Sequence, residues 1–208
     1  MAPGQSGAGR PRGRPRSEEA RRAILAAAGE LMLTGGLGAA TMEAIAARAG
    51  VSKATIYKWW PSRGAVALDG FLDQVSGTLA IPAGVSVREA VTWQIAALVR
   101  LFRDSTAGPL MQALVVSAQS DPDIAGALRE RWLAPRRAVT LETLRAGIAR
   151  GEIRADTDLE VALDQLFGPV YTRLFFGHAP LDDSLPSVLA GQLMDGIEIP
   201  AGRNGTGS

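Results

Sequence analysis

Of the 22 basic residues in the chain only two are lysines, Lys53 and Lys58, and they stand five residues apart in one short stretch. Around them lie Ser52, Ala54, Thr55, Tyr57 and Trp59. Cations, hydroxyls and a methyl at this density are the groups that meet phosphates and base edges in a DNA major groove. The chain offers little to build catalysis from. It has no cysteine and a single histidine, His178, and carboxylate groupings such as Asp121/Asp123 and Asp182/Asp183 read as helix starts. Thiol chemistry, a disulfide framework and Cys-ligated zinc are therefore excluded, His-based metal sites are disfavoured, and no cofactor is expected.

The elements that must hold these groups are two short helices. Thr41 caps the first, which carries Ile45 and Ala49 four apart on one face. Gly50 sits where the turn wants a positive φ. Ser52 caps the second helix, in which Ile56 and Trp60, again four apart, face inward. That leaves Lys53 with Tyr57, and Ala54 with Lys58, on the outside. A helix, a Gly turn and a serine-capped helix are the sequence form of a helix-turn-helix. A solvated helix face that happens to keep both lysines is the bland alternative.

Charge divides the chain. Residues 1–63 hold ten basic and four acidic side chains; residues 64–208 hold twelve and seventeen. A basic front and an acidic back suggest a polyanion-binding module joined to a domain with another task. Residues 1–16, rich in Gly, Pro and Arg, read as a disordered basic arm. Its Arg12 and Arg14 either keep a tail soluble or follow the minor groove in an extended form.

Ser17, followed by Glu18 and Glu19, reads as the cap of a first helix through Ile24, Leu25, Ala28, Leu31 and Met32, ending at Gly35-Gly36. A fourth helix follows Pro61-Ser62 and runs through Val66, Phe71 and Val75 to Leu79, long enough to enter the rear module. The remainder reads as helices: Ser86 to Arg103, a shorter one from Pro109, a long stretch from Asp121 to near Gly151 that Pro135 kinks or splits, then 158–176 with a bend at Gly168-Pro169, and 185–198. No strand-like alternation occurs. The expected class is all-α: an N-terminal three-helix helix-turn-helix domain (17–63), a helical bundle (64–199), and a disordered tail (200–208). Lack of an apolar N-terminal segment argues against a signal peptide, and no apolar run reaches membrane-span length, so a cytoplasmic protein is expected.

About residues 17–75 resemble the TetR (tetracycline-repressor-like) family of bacterial transcriptional regulators. Thr41, Ile45, Ala46, Ala49, Gly50, Val51, Ser52, Thr55, Ile56, Tyr57 and Trp60 carry the resemblance, with Pro61-Ser62-Arg63 in place of the family's Ser-Lys. Gly108-Pro109-Leu110 and Phe167-Gly168-Pro169 with Tyr171 look similar to one branch of the family's rear domains. The resemblance implies an all-helical homodimer of about nine helices per subunit, with an N-terminal DNA-binding domain (17–63) and a helical-bundle ligand-binding and dimerisation domain (64–199). By position, Thr41, Ser52, Thr55, Tyr57 and Trp59 correspond to family contacts with DNA, mostly to phosphate. Lys53, Ala54 and Lys58 fall where base reading varies among members, and Arg63 meets a phosphate. Trp59 departs from the polar aromatic common there.

The expected partners follow. Double-stranded DNA is read as a near-palindrome by two recognition helices about one helical turn, roughly 34–36 Å, apart. The second copy docks through helices 158–176 and 185–198, whose apolar faces otherwise serve only the core. A small-molecule effector releases the DNA by population shift, with helix 4 as the lever. Its candidate contacts are Trp93, Met111, Gln112, Trp132 and Tyr171, which join large apolar faces to a few polar groups; each is alternatively ordinary core. Phe167 and Phe175 are assigned to the core, and His178 to a helix C-cap or the surface. Two rival functions remain open: an architectural DNA-binding protein that uses the arm alone, and an enzyme.

Overall fold

The computed structural model describes residues 14–75, 81–82 and 84–199. The helix-turn-helix forms as its caps dictate. In α2 (Met42–Ala49) the Thr41 hydroxyl accepts from the Ala44 N–H at 3.1 Å, and Gly50 closes the helix at φ 66°. In α3 (Lys53–Tyr57) the Ser52 hydroxyl accepts from the Thr55 N–H at 3.2 Å. Ile45, Ile56 and Trp60 are buried, and Ala49 packs on the same core.

The first helix differs from expectation at its start. α1 spans Arg14–Ala39, so Ser17 lies inside it and not at its cap. Pro15 explains the earlier start, because proline costs nothing in a first turn whose N–H groups have no helical partner. Arg14 is thus helical backbone, not an extended arm residue; Arg12 and the rest of residues 1–13 lie outside the described residues, as do residues 200–208. α1 leaves helical geometry at Gly36 (φ 67°), where the sequence expects the stop, before one last turn that buries Leu37.

α4 (Arg63–Val75) is the hub. Residues Gly64 to Leu68, Gly70, Phe71 and Val75 are buried. Its backbone crosses α1 at Gly70 and Gly29: a Cβ on Gly70 would lie 2.6 Å from the Gly29 nitrogen, so only glycine permits this approach. The expected continuation to Leu79 falls outside the described residues.

The rear bundle comprises α5 (Val87–Asp104), α6 (Ala107–Ala118), α7 (Pro122–Ala127), a π turn (Leu128–Leu133), α8 (Ala134–Ala149), α9 (Leu159–Phe176) and α10 (Leu185–Ile197). Ser86 and Glu89 form a full capping box on α5. α6 begins at Ala107, two residues ahead of Pro109. Pro135 cannot donate to a carbonyl one turn back, and the widened turn just before it absorbs that lost bond. α9 continues through Pro169, and Gly177 (φ 61°) caps it, leaving His178 exposed. One isolated antiparallel bridge, Ile153 with Glu198, ties the end of α10 to the loop after α8. Arg88 of α5 reinforces it, its Nε 2.9 Å from Glu198 Oε1.

Trp132, in the π turn, lies between Phe71 of α4 and Phe102 of α5, each ring centroid 5.9 Å away. Burying one such side chain is worth ~1.5–3 kcal/mol, so this stack fastens α4 to the π turn and α5. Among the described residues, no helix is long and apolar enough to cross a membrane.

Candidate functional site

The outer face of the helix-turn-helix collects the polar groups that the sequence singles out. Ser52, Lys53, Ala54, Tyr57, Lys58 and Arg63 are exposed, while Thr41 and Thr55 are half-buried beside them. Burial of Ile56 and Trp60 fixes this outward stripe, because a one-residue rotation of α3 would bring Tyr57 into the core. Trp59 is only partly exposed: it packs edge-on against Trp60 at 5.9 Å, so much of its indole serves the core.

Two local bonds occupy this face. The Ser52 and Thr55 hydroxyls lie 2.9 Å apart and bond to each other. Lys53 Nζ donates to Glu43 Oε1 at 2.7 Å. That bond, then the charge attraction, raises the lysine above its usual range and lowers the carboxylate. Lys53 therefore shares its charge with Glu43, and part of its donor capacity is taken before it meets a phosphate or base.

The recognition segment is wired to the rear bundle through α4. Trp60 Nε1 donates to Asp69 Oδ2 at 2.6 Å, and Arg131 of the π turn reaches the same oxygen. Sequence reading missed Asp69 and Arg131, which lie 62 positions apart.

A cavity of about 360 Å³ opens between α5, α8 and α9. Gln94, Leu98, Leu133, Arg136, Val139, Thr140, Phe167 and Tyr171 are among its lining residues. Of the five expected ligand contacts, Tyr171 lines it. Trp132 lies just behind, its Nε1 donating to the Tyr171 hydroxyl at 2.8 Å. Burial pushes that phenol up. Met111 is core, Trp93 is half-buried away from the lining, and Gln112 is exposed with its Nε2 on the Leu174 carbonyl at 2.5 Å. Phe167 lines the cavity and Phe175 is exposed at the surface, so neither is the plain core residue expected. Arg136 and Gln94 went unnoticed in the sequence. The signal that would have found them is the spacing of Trp132, Arg136 and Thr140, four apart on one helical face.

Arg136 lies flat over Trp132, 3.5 Å from the ring, with Nη1 on the Trp132 carbonyl at 3.0 Å. Burial pushes its guanidinium down to about 10. Arg137, the next residue, turns outward to Asp164 at 2.7 Å and to Glu160.

A face on α9 and α10 carries exposed apolar side chains: Val161 (49%), Phe176 (79%) and Val188 (48%). A shallow depression lined by Gln165, Gly168, Thr172 and His178 runs along the same side of α9.

The chain matches two family models: that of the bacterial regulatory proteins of the tetR family over residues 24–69, and that of the tetracyclin repressor-like C-terminal domain over residues 81–193. It is 39% identical to the uncharacterised HTH-type transcriptional regulator YdeS of Bacillus subtilis, over 90% of this chain and 94% of that one. Its fold is similar to the crystal structure of the TetR family transcription regulator SCO0332, with a TM-score of 0.79 and 43% identity over 86% of this chain and 98% of that one. It is also similar in fold to FadR of Bacillus subtilis, solved in complex with stearoyl-CoA, at a TM-score of 0.62 and 21% identity over 85% and 98% of the two chains.

Proposed function

Since this chain belongs to the tetR family of bacterial transcriptional regulators, we propose that it binds a near-palindromic operator as a homodimer and is released by a small molecule. In this reading residues 17–63 contact DNA and residues 64–199 bind the effector and the second copy, with α4 shared between the two tasks. Lys53, Ala54 and Lys58 meet base edges; Thr41, Ser52, Thr55, Tyr57, Trp59 and Arg63 meet phosphates, joined by Arg12 of the arm. The protein represses its target genes from a cytoplasmic, DNA-bound state.

The observation that carries the regulatory reading is the shared oxygen of Asp69, which Trp60 and Arg131 both engage. Arg131 neighbours Trp132, which backs the cavity. A ligand that moves the π turn thereby acts on α4 and on the last residue of the recognition segment. A 100-fold loss of operator affinity requires the ligand to prefer the released conformation 100-fold, about 2.7 kcal/mol. FadR, named in complex with stearoyl-CoA, supports an effector in this fold.

The phenylalanine and valines of the α9–α10 face support the dimer, since exposed apolar patches on a helical pair commonly mark such contacts. Selecting bound sequences from random DNA tests the whole reading. Recovery of palindromes with half-sites about one helical turn apart is expected; sequences without symmetry would sink the dimeric operator.

A further inference from the structure

We infer that the cavity between α5, α8 and α9 takes a small carboxylate whose anionic end is received by Arg136 and Gln94. The inference rests on reading this cavity as the effector site, and adds the chemical class of the effector.

The argument starts from a surplus of donors. Gln94 is buried, at 8% exposure, and its Oε1 accepts from the Thr140 hydroxyl at 2.5 Å. With the amide oxygen held by Thr140, the amide nitrogen faces away from that hydroxyl. That nitrogen has no partner, and neither does Arg136 Nε; these two are the buried side-chain polar atoms without one among the described residues. Both are donors. Unmet donors in an apolar enclosure call for a ligand that brings acceptors.

Charge narrows the class further. Arg88, Arg103, Arg131, Arg137, Arg150 and Arg154 each hold a carboxylate. Arg136 forms no ion pair with any described residue; its contacts are the Trp132 ring and the Trp132 carbonyl. With its guanidinium pushed down only to about 10, it stays charged at neutral pH. A partly buried cation without a counter-ion is unfavourable, and a ligand carboxylate removes the deficit while accepting from the guanidinium. Arg137 also lines the cavity, but Glu160 and Asp164 already hold it. Arg136 thus offers one unanswered positive charge, and a phosphate dianion would carry an uncompensated charge into the site. Leu98, Leu133, Val139 and Phe167 supply the apolar remainder. The volume, about 360 Å³, is at the lower end for small-molecule pockets, which favours a compact ligand.

The test is calorimetric titration of the full-length, DNA-free protein. The probes are naphthalene-2-carboxylate and octanoate, each against its primary amide, with 2-naphthyl phosphate as a third arm. At least one carboxylate should bind once per chain, tenfold or more tighter than its amide and tighter than the phosphate. Arg136→Gln should erase the preference of carboxylate over amide, and Gln94→Leu should weaken the carboxylate about tenfold. Equal binding of acid and amide, a tighter phosphate, no saturable carboxylate binding up to 10 mM, or a folded Arg136→Gln variant with its preference intact would each overturn the inference. If Arg136→Gln does not fold, the wild-type comparison of acid and amide decides alone. Operator release is measured separately. A carboxylate that binds without releasing DNA removes the regulatory reading and leaves the pocket chemistry. Release by neutral compounds, with no preference for the acid, removes the carboxylate and leaves the regulation.

Discussion

Trp60 and Asp69 are joined by a 2.6 Å bond from the indole N–H to Oδ2, the oxygen that also takes Arg131. Trp60 is 2% exposed and closes the recognition segment; Asp69 sits mid-way along α4; Arg131 belongs to the rear bundle. One carboxylate oxygen therefore links three elements that no run of sequence brings together.

Asp69→Asn keeps the shape and removes the charge. Arg131 and Asp69 are 32% and 21% exposed at their side chains, so water screens part of the loss. A decrease of about 1–3 kcal/mol in urea unfolding is expected, together with weaker operator binding. Unchanged stability and unchanged affinity would show that the triad is not a joint.

The α1–α4 crossing makes a sharper forecast. A Cβ on Gly70 would stand 2.6 Å from the Gly29 nitrogen and 2.8 Å from the Leu25 carbonyl oxygen, both backbone atoms that cannot step aside. Gly70→Ala should cost about 1–3 kcal/mol by thermal or urea denaturation. Gly38→Ala is the control, because nothing lies within 4 Å of its Cβ. It should be neutral or slightly stabilising.

Glu43 holds Lys53 at 2.7 Å and carries a negative charge beside the proposed DNA face. Glu43→Ala frees the lysine and removes repulsion from phosphate. Operator affinity at low salt should rise several-fold, with no measurable change in the unfolding midpoint, since both groups are exposed. Lys53→Ala should lower affinity in the same assay. A Glu43→Ala variant that binds more weakly would mean that the pair orders the bound form.

Phe176, 79% exposed on α9, and Val188, 48% exposed on α10, test the dimer. Phe176→Glu should shift sedimentation at micromolar concentration from dimer to monomer and reduce operator binding with it. A wild-type monomer under those conditions would remove the two-fold operator.

Much of the proposed DNA face was legible because its determinants are local. Thr41, Gly50 and Ser52 act on backbone groups within three or four residues, and the inward pair Ile56 and Trp60 sets which side chains remain outside. The cavity was less legible. Its expected residues join large apolar faces to a few polar groups, yet Trp93 and Met111 lie in other surroundings, and the polar groups that distinguish the site, Gln94 and Arg136, are of types abundant or unremarkable in this chain.

The sequence by itself determined the helical class, the caps of α2 and α3, the turn between them and the outward stripe of α3, because helical periodicity and capping are short-range rules. Tertiary structure alone decided that Lys53 rests on Glu43, that Asp69 joins Trp60 to Arg131, and that Arg136, unlike its neighbour Arg137, is left without a carboxylate among the described residues. The physical reason is that a charge is paired or stranded by what packs opposite it. For Asp69 that partner lies 62 residues away, and for Gln94, held by Thr140, it lies 46 residues away.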